Sequence, residues 1–428
     1  MQFGPVGELR GTVSVPGDKS ISHRALMLAA LAVGRSRIDG LSEGTDVAAT
    51  AAAMRAMGAR IGRAADGAVE VDGVGVGGLL QPQTPLDMGN SGTSARLLTG
   101  LAATHAIAAT FTGDASLSRR PMERVAAQLR RTGADIMTAP GGTLPLTVRG
   151  LSPALPLTTR MEVASAQLKS ALLLAGLNTP GVTRVIEPVP TRDHSERMLK
   201  LFGAEIAAEG GEIVLRGEAD LVPQELRIPG DPSAAAFLAV AALIVPGSLV
   251  RIARVGANEH RTGLFEVLRE MGADIAFENR RELSGEPVAD LVVRHSALRG
   301  MEVPPDRIPA MIDEFPIFFV AAAFAEGTSH ARGLGELRVK ESDRLAAMAA
   351  GLRAIGVEVE DSEDGLAIRG SGGEPLAGGV PVATRFDHRI AMSFAVAGLH
   401  ARAPVTLDDF APVRTSFPGF EDVLRSLS

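Results

Sequence analysis

Three residues, Lys19, Ser20 and Arg24, stand in the run Val15-Pro16-Gly17-Asp18-Lys19-Ser20-Ile21-Ser22-His23-Arg24. Pro16-Gly17 breaks an extended stretch, and the apolar residues from Ile21 onward recur at helical spacing, so a helix is predicted to start here with Ser20 or Ser22 as its cap. Its first turn offers unpaired backbone N–H groups, the positive end of the helix dipole, an ammonium and a planar guanidinium. That combination suits a phosphate or a carboxylate. Taken alone, one K-S-x-x-x-R pattern equally describes a capped surface helix with solvated cations. Two later blocks carry groups suited to proton transfer. In Ile312-Asp313-Glu314-Phe315 two carboxylates precede an apolar run, which by itself reads as helix capping. In Val339-Lys340-Glu341-Ser342-Asp343-Arg344 a cation, a carboxylate and a second cation fall within about one turn, a pattern that a salt-bridged exposed helix also shows.

Other motifs are weaker singly. Leu86-Asp87-Met88-Gly89-Asn90-Ser91-Gly92-Thr93-Ser94-Ala95-Arg96 is a glycine-bearing turn before a helix. Of the pair Arg119-Arg120 before Pro121, Arg119 is expected to be a solvated surface residue. Ser165-Ala166-Gln167 reads as an N-cap and first helical turn. Arg192 and His194 lie in Thr191-Arg192-Asp193-His194-Ser195-Glu196, where the histidine is expected simply to begin a helix. Arg389 follows Asp387-His388, and Arg414-Thr415 closes the set.

These residues must be held by a repeated scaffold. Six apolar, Ala-rich segments read as helices: His23 to Ala32, Ser94 to Ala103, Ser165 to Leu177, Ser233 to Val245, Phe315 to Ala325, and His388 to His400. Between them recurs a helix-to-strand junction with a candidate C-cap glycine at Gly58, Gly133, Gly203, Gly272 and Gly356. The unit is helix, strand, helix, strand, with a period of about 70 to 80 residues, longer than common solenoid repeats. Pro16-Gly17-Asp18 is echoed by Pro229-Gly230-Asp231, which divides the repeats into two sets. The last repeat stops without a closing strand, and residues 1–13 are expected to supply it. The predicted organisation is one domain over 14–227 and a second over 1–13 plus 228–428, with hinges near 14–17 and 228–232.

Composition bounds the rest. A chain of 428 residues exceeds the usual single core, and 46% apolar residues with only 4% aromatics suit close-packed helices on sheets. The absence of Cys excludes a disulfide framework, a thiolate metal site and a cysteine nucleophile, and it fits a cytoplasmic protein. Neither a secretory signal nor a bilayer-spanning run is present, so no membrane association is expected. A net charge of −7 argues against nucleic-acid binding. With no H-E-x-x-H pattern either, neither a metal nor a cofactor is expected.

Together these blocks resemble, across nearly the whole chain, the signatures of the EPSP (5-enolpyruvylshikimate-3-phosphate) synthase family of enolpyruvyl transferases. The resemblance implies an α/β fold, a two-domain inside-out α/β barrel of six βαβαββ repeats, three per domain, closing on ligands at the interface. It also implies a monomer that joins phosphoenolpyruvate (PEP) to shikimate-3-phosphate. By the matching positions, shikimate-3-phosphate is expected on Lys19, Ser20, Arg24, Ser165, Ala166 (through its backbone), Gln167, Arg192, Asp313 and Lys340. PEP is expected on Lys19, Asn90, Gly92, Arg120, Gln167, Arg344 and Arg389. The catalytic set that the resemblance implies is Lys19, Asp313, Glu341 and Lys340, with Asp313 as base, Glu341 near the PEP methylene as proton donor, and the lysines assisting transfer or departure of the leaving group; the sequence leaves open which of them protonates C3. Clustered cations would keep Asp313 ionised. The segment from Arg192 to Glu196 looks like the class II branch, yet Gly92 stands where that branch often has Ala. Many relatives carry Lys at Thr415, so either Arg414 replaces that cation or the site lacks it. The inhibitor glyphosate is expected to take the PEP site. The nearest rival, a related transferase acting on UDP-N-acetylglucosamine, usually employs a loop Cys that this chain lacks. Two more distant rivals are RNA 3′-terminal phosphate cyclase and a noncatalytic protein that keeps the anion pocket.

Overall fold

Each of the six Ala-rich segments forms a helix, and each is wrapped by protein on nearly every side. The computed structural model describes residues 1–428, which fall into two units, here the N-unit (Gly17–Ile228 with Leu283–Glu286) and the C-unit (Met1–Pro16, Pro229–Glu282 and Pro287–Ser428). Each has its own apolar core.

The N-unit contains α1 (Lys19–Leu31), α2 (Thr45–Ala56), α3 (Gly92–Ala103), α4 (Glu123–Arg130), α5 (Ala166–Leu177) and α6 (His194–Leu201). Every residue of α1 from Ile21 to Leu31 is buried, and so is every residue of α5 from Leu168 to Leu177. A helix that is apolar all round has no solvent face to offer, so it becomes an interior element. Three four-stranded sheets cover these helices, in the orders Glu225–Arg227, Val33–Asp39, Val69–Val74, Arg60–Arg63; Leu86–Asp87, Ala108–Thr112, Thr143–Arg149, Asp135–Ala139; and Thr158–Arg160, Val182–Ile186, Glu212–Arg216, Ile206–Glu209. In all three the first strand pairs parallel with its neighbour and the other pairings are antiparallel. A parallel pair needs a crossover, and in the second and third sheets α3 and α5 provide it.

The C-unit contains α7 (Pro232–Ile244), α8 (Gly263–Glu270), α9 (Ile308–Met311), α10 (Phe315–Phe324), α11 (Arg344–Ala354), α12 (His388–Gly398) and α13 (Phe420–Arg425). Its largest sheet has the order Asp274–Leu283, Glu286–Arg294, Leu249–Gly256, Arg10–Ser14, with the last two parallel. Gln2–Phe3 forms an edge strand antiparallel to Val405–Leu407, which in turn pairs with Pro381–Val382.

One expectation fails at the start of α1. Its cap is Asp18, whose carboxylate accepts from the Ile21 amide at 2.8 Å, while the Ser22 hydroxyl accepts from the Ser42 amide at 3.0 Å. A carboxylate acceptor at this position suits the positive end of the helix dipole, and it leaves Ser20 uncommitted to capping. The five junction glycines all adopt left-handed backbone, with φ between 91° and 107°, as a helix C′ position requires.

Close approach of α3 to α5 depends on Gly100. A Cβ there would lie 2.3 Å from the Ala171 carbonyl oxygen, which is backbone and cannot swing away. Gly100→Ala is therefore expected to lower stability by about 1 to 3 kcal/mol through overpacking. The shift of the urea midpoint reads this, and an unchanged midpoint would show that the two helices separate freely.

Candidate active site

Several candidate site residues of the N-unit sit in the first turns of its buried helices. Lys19 opens α1, and its ammonium pairs with Asp46 in the first turn of α2. Arg24, one turn further, is 4% exposed. Its guanidinium donates to the Ser20 carbonyl at 2.8 Å, to Ser195 Oγ at 2.7 Å and to Ser170 Oγ at 2.6 Å. His23 lies between these two cations in sequence and is fully buried. Burial, with Lys19 and Arg24 nearby, holds its pKa well below the usual range, so it is neutral. Its Nδ1 is 2.7 Å from Thr50 Oγ1, and Thr50 Oγ1 is 2.6 Å from Ser94 Oγ, which ties α1 to α2 and α3.

The glycine loop is held from behind. Arg120, 7% exposed, donates to the Asn90 carbonyl at 3.2 Å and to the Asn90 side-chain oxygen, while the Asn90 amide donates to Asp114 at 2.7 Å. Arg119 is exposed, as expected. Ser91 caps α3, and Arg96 on that helix donates to Gln167 Oε1 at 2.9 Å. The Gln167 amide donates in turn to Thr93 Oγ1 at 3.1 Å. Asn90, Gly92, Arg120 and Gln167 are thereby joined through shared partners. Ser165 caps α5 as expected, and Arg192 lies two residues before α6. His194 does begin α6, but it is buried, with Nδ1 donating to Glu286 at 2.7 Å.

In the C-unit, Arg344 organises the site. It is 1% exposed and faces three carboxylates: Nη2 to Glu341 at 2.6 Å, Nε to Asp387 at 2.8 Å and Nη1 to Asp313 at 3.7 Å. Burial works against its charge, but these carboxylates outweigh it and the pKa is raised. Asp387 has no exposed surface. Burial opposes its ionisation too, yet Arg344 beside it holds its carboxyl below the usual range. Lys340 Nζ lies 3.7 Å from Asp313 and 3.0 Å from Glu336. Arg389 donates to the Asp313 carbonyl at 2.8 Å and to Glu314 at 3.2 Å. Asp313, Lys340, Glu341, Arg344 and Arg389 thus form one array. Arg414 is exposed on the 3₁₀ turn Ala411–Thr415, and the Thr415 hydroxyl is spent on the Pro412 carbonyl at 2.8 Å.

Sequence reasoning missed the carboxylates that aim these groups: Asp46 for the Lys19 ammonium, Asp114 for the Asn90 amide, and Asp387 for the Arg344 guanidinium. It saw Glu314 only as a cap. That glutamate makes no side-chain capping bond and instead accepts from Arg389 and, at 2.5 Å, from Ser233. Asp387 stood inside a quoted motif, and an acidic residue beside two basic ones could have flagged it. The others are ordinary first-turn or loop acids in sequence.

This scaffold, with cations at helix starts in one unit and cation-paired carboxylates in the other, is that of the enolpyruvyl transferases. The solved structure of the enolpyruvyl transferase NikO from Streptomyces tendae shares the fold, with a TM-score of 0.80 at 19% identity over 100% of this chain and 96% of that one. The chain belongs to the EPSP synthase (3-phosphoshikimate 1-carboxyvinyltransferase) family, whose model matches residues 4–424. Among similar proteins, the 3-phosphoshikimate 1-carboxyvinyltransferase of Sphingopyxis alaskensis is 65% identical, over 98% of this chain and 96% of its own length. That of Zymomonas mobilis is 60% identical over 98% and 94%. An EPSP synthase structure from Acinetobacter baumannii has a TM-score of 0.89 at 45% identity, covering 100% of this chain and 98% of that one.

Proposed function

We propose that this chain transfers the enolpyruvyl group of PEP to the 5-hydroxyl of shikimate-3-phosphate, giving EPSP and phosphate. The observation that carries the reading is the array around Arg344, in which Asp313 and Glu341 share one buried guanidinium with Asp387 and Lys340 stands at Asp313. The scaffold is read as six βαβαββ repeats, supported by the recurrent pairing of a parallel edge strand with antiparallel neighbours.

Both substrates carry a phosphate and a carboxylate, so several cations must offset crowded negative charge. Shikimate-3-phosphate is assigned to Lys19, Ser20, Arg24, Ser165, Ala166, Gln167, Arg192, Asp313 and Lys340. PEP is assigned to Lys19, Asn90, Gly92, Arg120, Gln167, Arg344 and Arg389. In the addition step Asp313 takes the proton of the 5-hydroxyl as its oxygen bonds to C2 of PEP, and Glu341 delivers a proton to C3, which becomes a methyl group. In the elimination step C3 gives a proton back to Glu341, the double bond re-forms, the C2–O bond to phosphate breaks, and the proton held by Asp313 passes to the departing phosphate. Lys19 and Lys340 offset the charge that gathers on the leaving oxygen. Every proton taken up is returned, and no oxidant or reductant is consumed. The test is phosphate release, expected only when PEP and shikimate-3-phosphate are both present. Release from PEP alone, or with another acceptor in place of shikimate-3-phosphate, would overturn the reading.

Glyphosate is proposed to compete with PEP. An added Cβ on Gly92 would lie 2.7 Å from Arg96 Nη1 and 3.4 Å from Arg120 Nη1. Both atoms are tips of flexible side chains, so Gly92→Ala is expected to fold while displacing cations that line the proposed PEP site. Glyphosate is longer than PEP and has less room to adjust. The substitution is expected to raise its inhibition constant at least about tenfold, the scale of one misplaced methyl in a packed pocket, and the PEP KM by less. Equal glyphosate constants for the two forms would assign control of access to another residue.

A further inference from the structure

Lys169 has no exposed surface at all, which bars it from touching any substrate. It sits on α5, directly after the turn that carries Ser165, Ala166 and Gln167. Its ammonium donates to Glu187 at 3.0 Å and to the Thr191 carbonyl at 3.3 Å, and it pairs with Glu196 at 2.6 Å. The Thr191 hydroxyl donates to the other oxygen of Glu187. An ammonium has three protons to give, and here all three are placed.

An ion triad is a poor way to fill this volume if stability is all that is required. A lysine and two carboxylates must all be desolvated, and apolar residues of similar size would usually serve as well or better. The cost is visible at Glu196. Its Oε2 is buried with no hydrogen-bond partner, and burial raises its pKa despite the neighbouring ammonium. What the triad gives in return is registry. It pins the chain at Glu187 and Thr191, just before Arg192, and again at Glu196, just after Ser195.

Ser195 is the other half of the argument. Its hydroxyl accepts from Arg24 Nε at 2.7 Å and donates to Ser170 Oγ at 2.7 Å. Ser170, the residue after Lys169, also accepts from Arg24 at 2.6 Å and donates to the Ala166 carbonyl at 2.6 Å. Each hydroxyl has one proton and each is used once, so the network has a single direction, and Arg24 is held by two side chains whose positions the triad sets.

We propose that Lys169, with Glu187 and Glu196, is a positioning residue for the acceptor phosphate, acting through Arg192 and through Ser195 on Arg24. The proposal rests on the assignment of shikimate-3-phosphate to Arg24 and Arg192 given above. It is tested with Lys169→Met and with the triple variant Lys169→Met, Glu187→Gln, Glu196→Gln. The triple leaves no unpaired charge in the core and keeps the test available if the single variant fails to fold. The measurements are kcat, the KM values for shikimate-3-phosphate and PEP, and the inhibition constant of shikimate, which lacks the phosphate, in competition with shikimate-3-phosphate. In each variant that folds, the shikimate-3-phosphate KM is expected to rise at least about tenfold, with kcat, the PEP KM and the shikimate constant each within about twofold of wild type. An unchanged shikimate-3-phosphate KM, or equal losses for the phosphorylated and unphosphorylated compounds, would overturn the proposal. Arg192→Met separates the two levels. If it weakens shikimate-3-phosphate while the Lys169 variants do not, only the positioning role fails; if it leaves that substrate unaffected, the site assignment fails and the proposal falls with it.

Discussion

Glu341→Gln and Lys19→Met are each expected to fold normally and to lose kcat by about 100- to 10,000-fold, the range in which a positioned acid, base or charge contributes to a proton-transfer reaction. Glu341 accepts from Arg344 at 2.6 Å through one oxygen, and a glutamine can keep that bond through its carbonyl. What it loses is the proton. Arg344 also retains Asp387 and Asp313, so its charge stays paired. Lys19 is partly exposed, and removing it leaves Asp46 at a helix start, where the dipole tolerates a carboxylate. Turnover by phosphate release and the thermal midpoint are measured together. A variant with near-wild-type kcat would remove that residue from the catalytic set, and a collapsed midpoint would make its loss of activity a matter of folding.

Asp387→Asn carries the largest expected effect on stability. Asp387 caps α12 through the Arg389 amide at 2.9 Å, accepts from Ser342 at 3.0 Å and pairs with fully buried Arg344. Removing one partner of a buried pair costs about 3 to 5 kcal/mol when the remaining charge is left uncompensated. Arg344 keeps Glu341 at 2.6 Å, so a loss of about 2 to 3 kcal/mol is expected here. The pH dependence has a definite sign. Arg344 holds the Asp387 carboxyl below its ordinary value, so the unfolded chain binds this proton more readily than the folded one. Its stabilising contribution is therefore fully present above the unfolded pKa of about 3.9 and is lost as pH falls through the lower folded value. The gap between wild type and variant in urea midpoint is expected to be widest near neutrality and to narrow below about pH 4. A gap that stays constant down to acid would mean that capping, and not charge, accounts for the loss.

Much of the scaffold was legible because its signals are local. Six helices with no polar stripe can only be interior, and glycines at five equivalent junctions mark helix ends by backbone geometry alone. The cations at helix starts were legible for the same reason. Their counter-charges were not, since Asp46 lies 27 residues from Lys19 and Asp387 lies 43 from Arg344. Nothing in a single sequence distinguishes an aspartate that caps from one that aims a lysine. Lys169 shows the limit most sharply: the sequence around it names no partner for its charge, and only the fold reveals the two glutamates that keep it inside.

Gln2 and Phe3 pair with Thr406 and Val405, which means that an edge strand and the central strand of one sheet leave the ribosome about 400 residues apart. At translation rates of about 5 to 20 residues per second, the amino-terminal strand waits roughly 20 to 80 seconds for its partner. Residues 17–228 of the N-unit emerge as an unbroken stretch and can begin to condense well before then. The unit that carries Asp313, Glu341 and Arg344 cannot complete this sheet until Val405 to Leu407 have been made, so a nascent chain stalled before Val405 holds the residues of the N-unit in full while the unit around Arg344 still lacks a sheet strand.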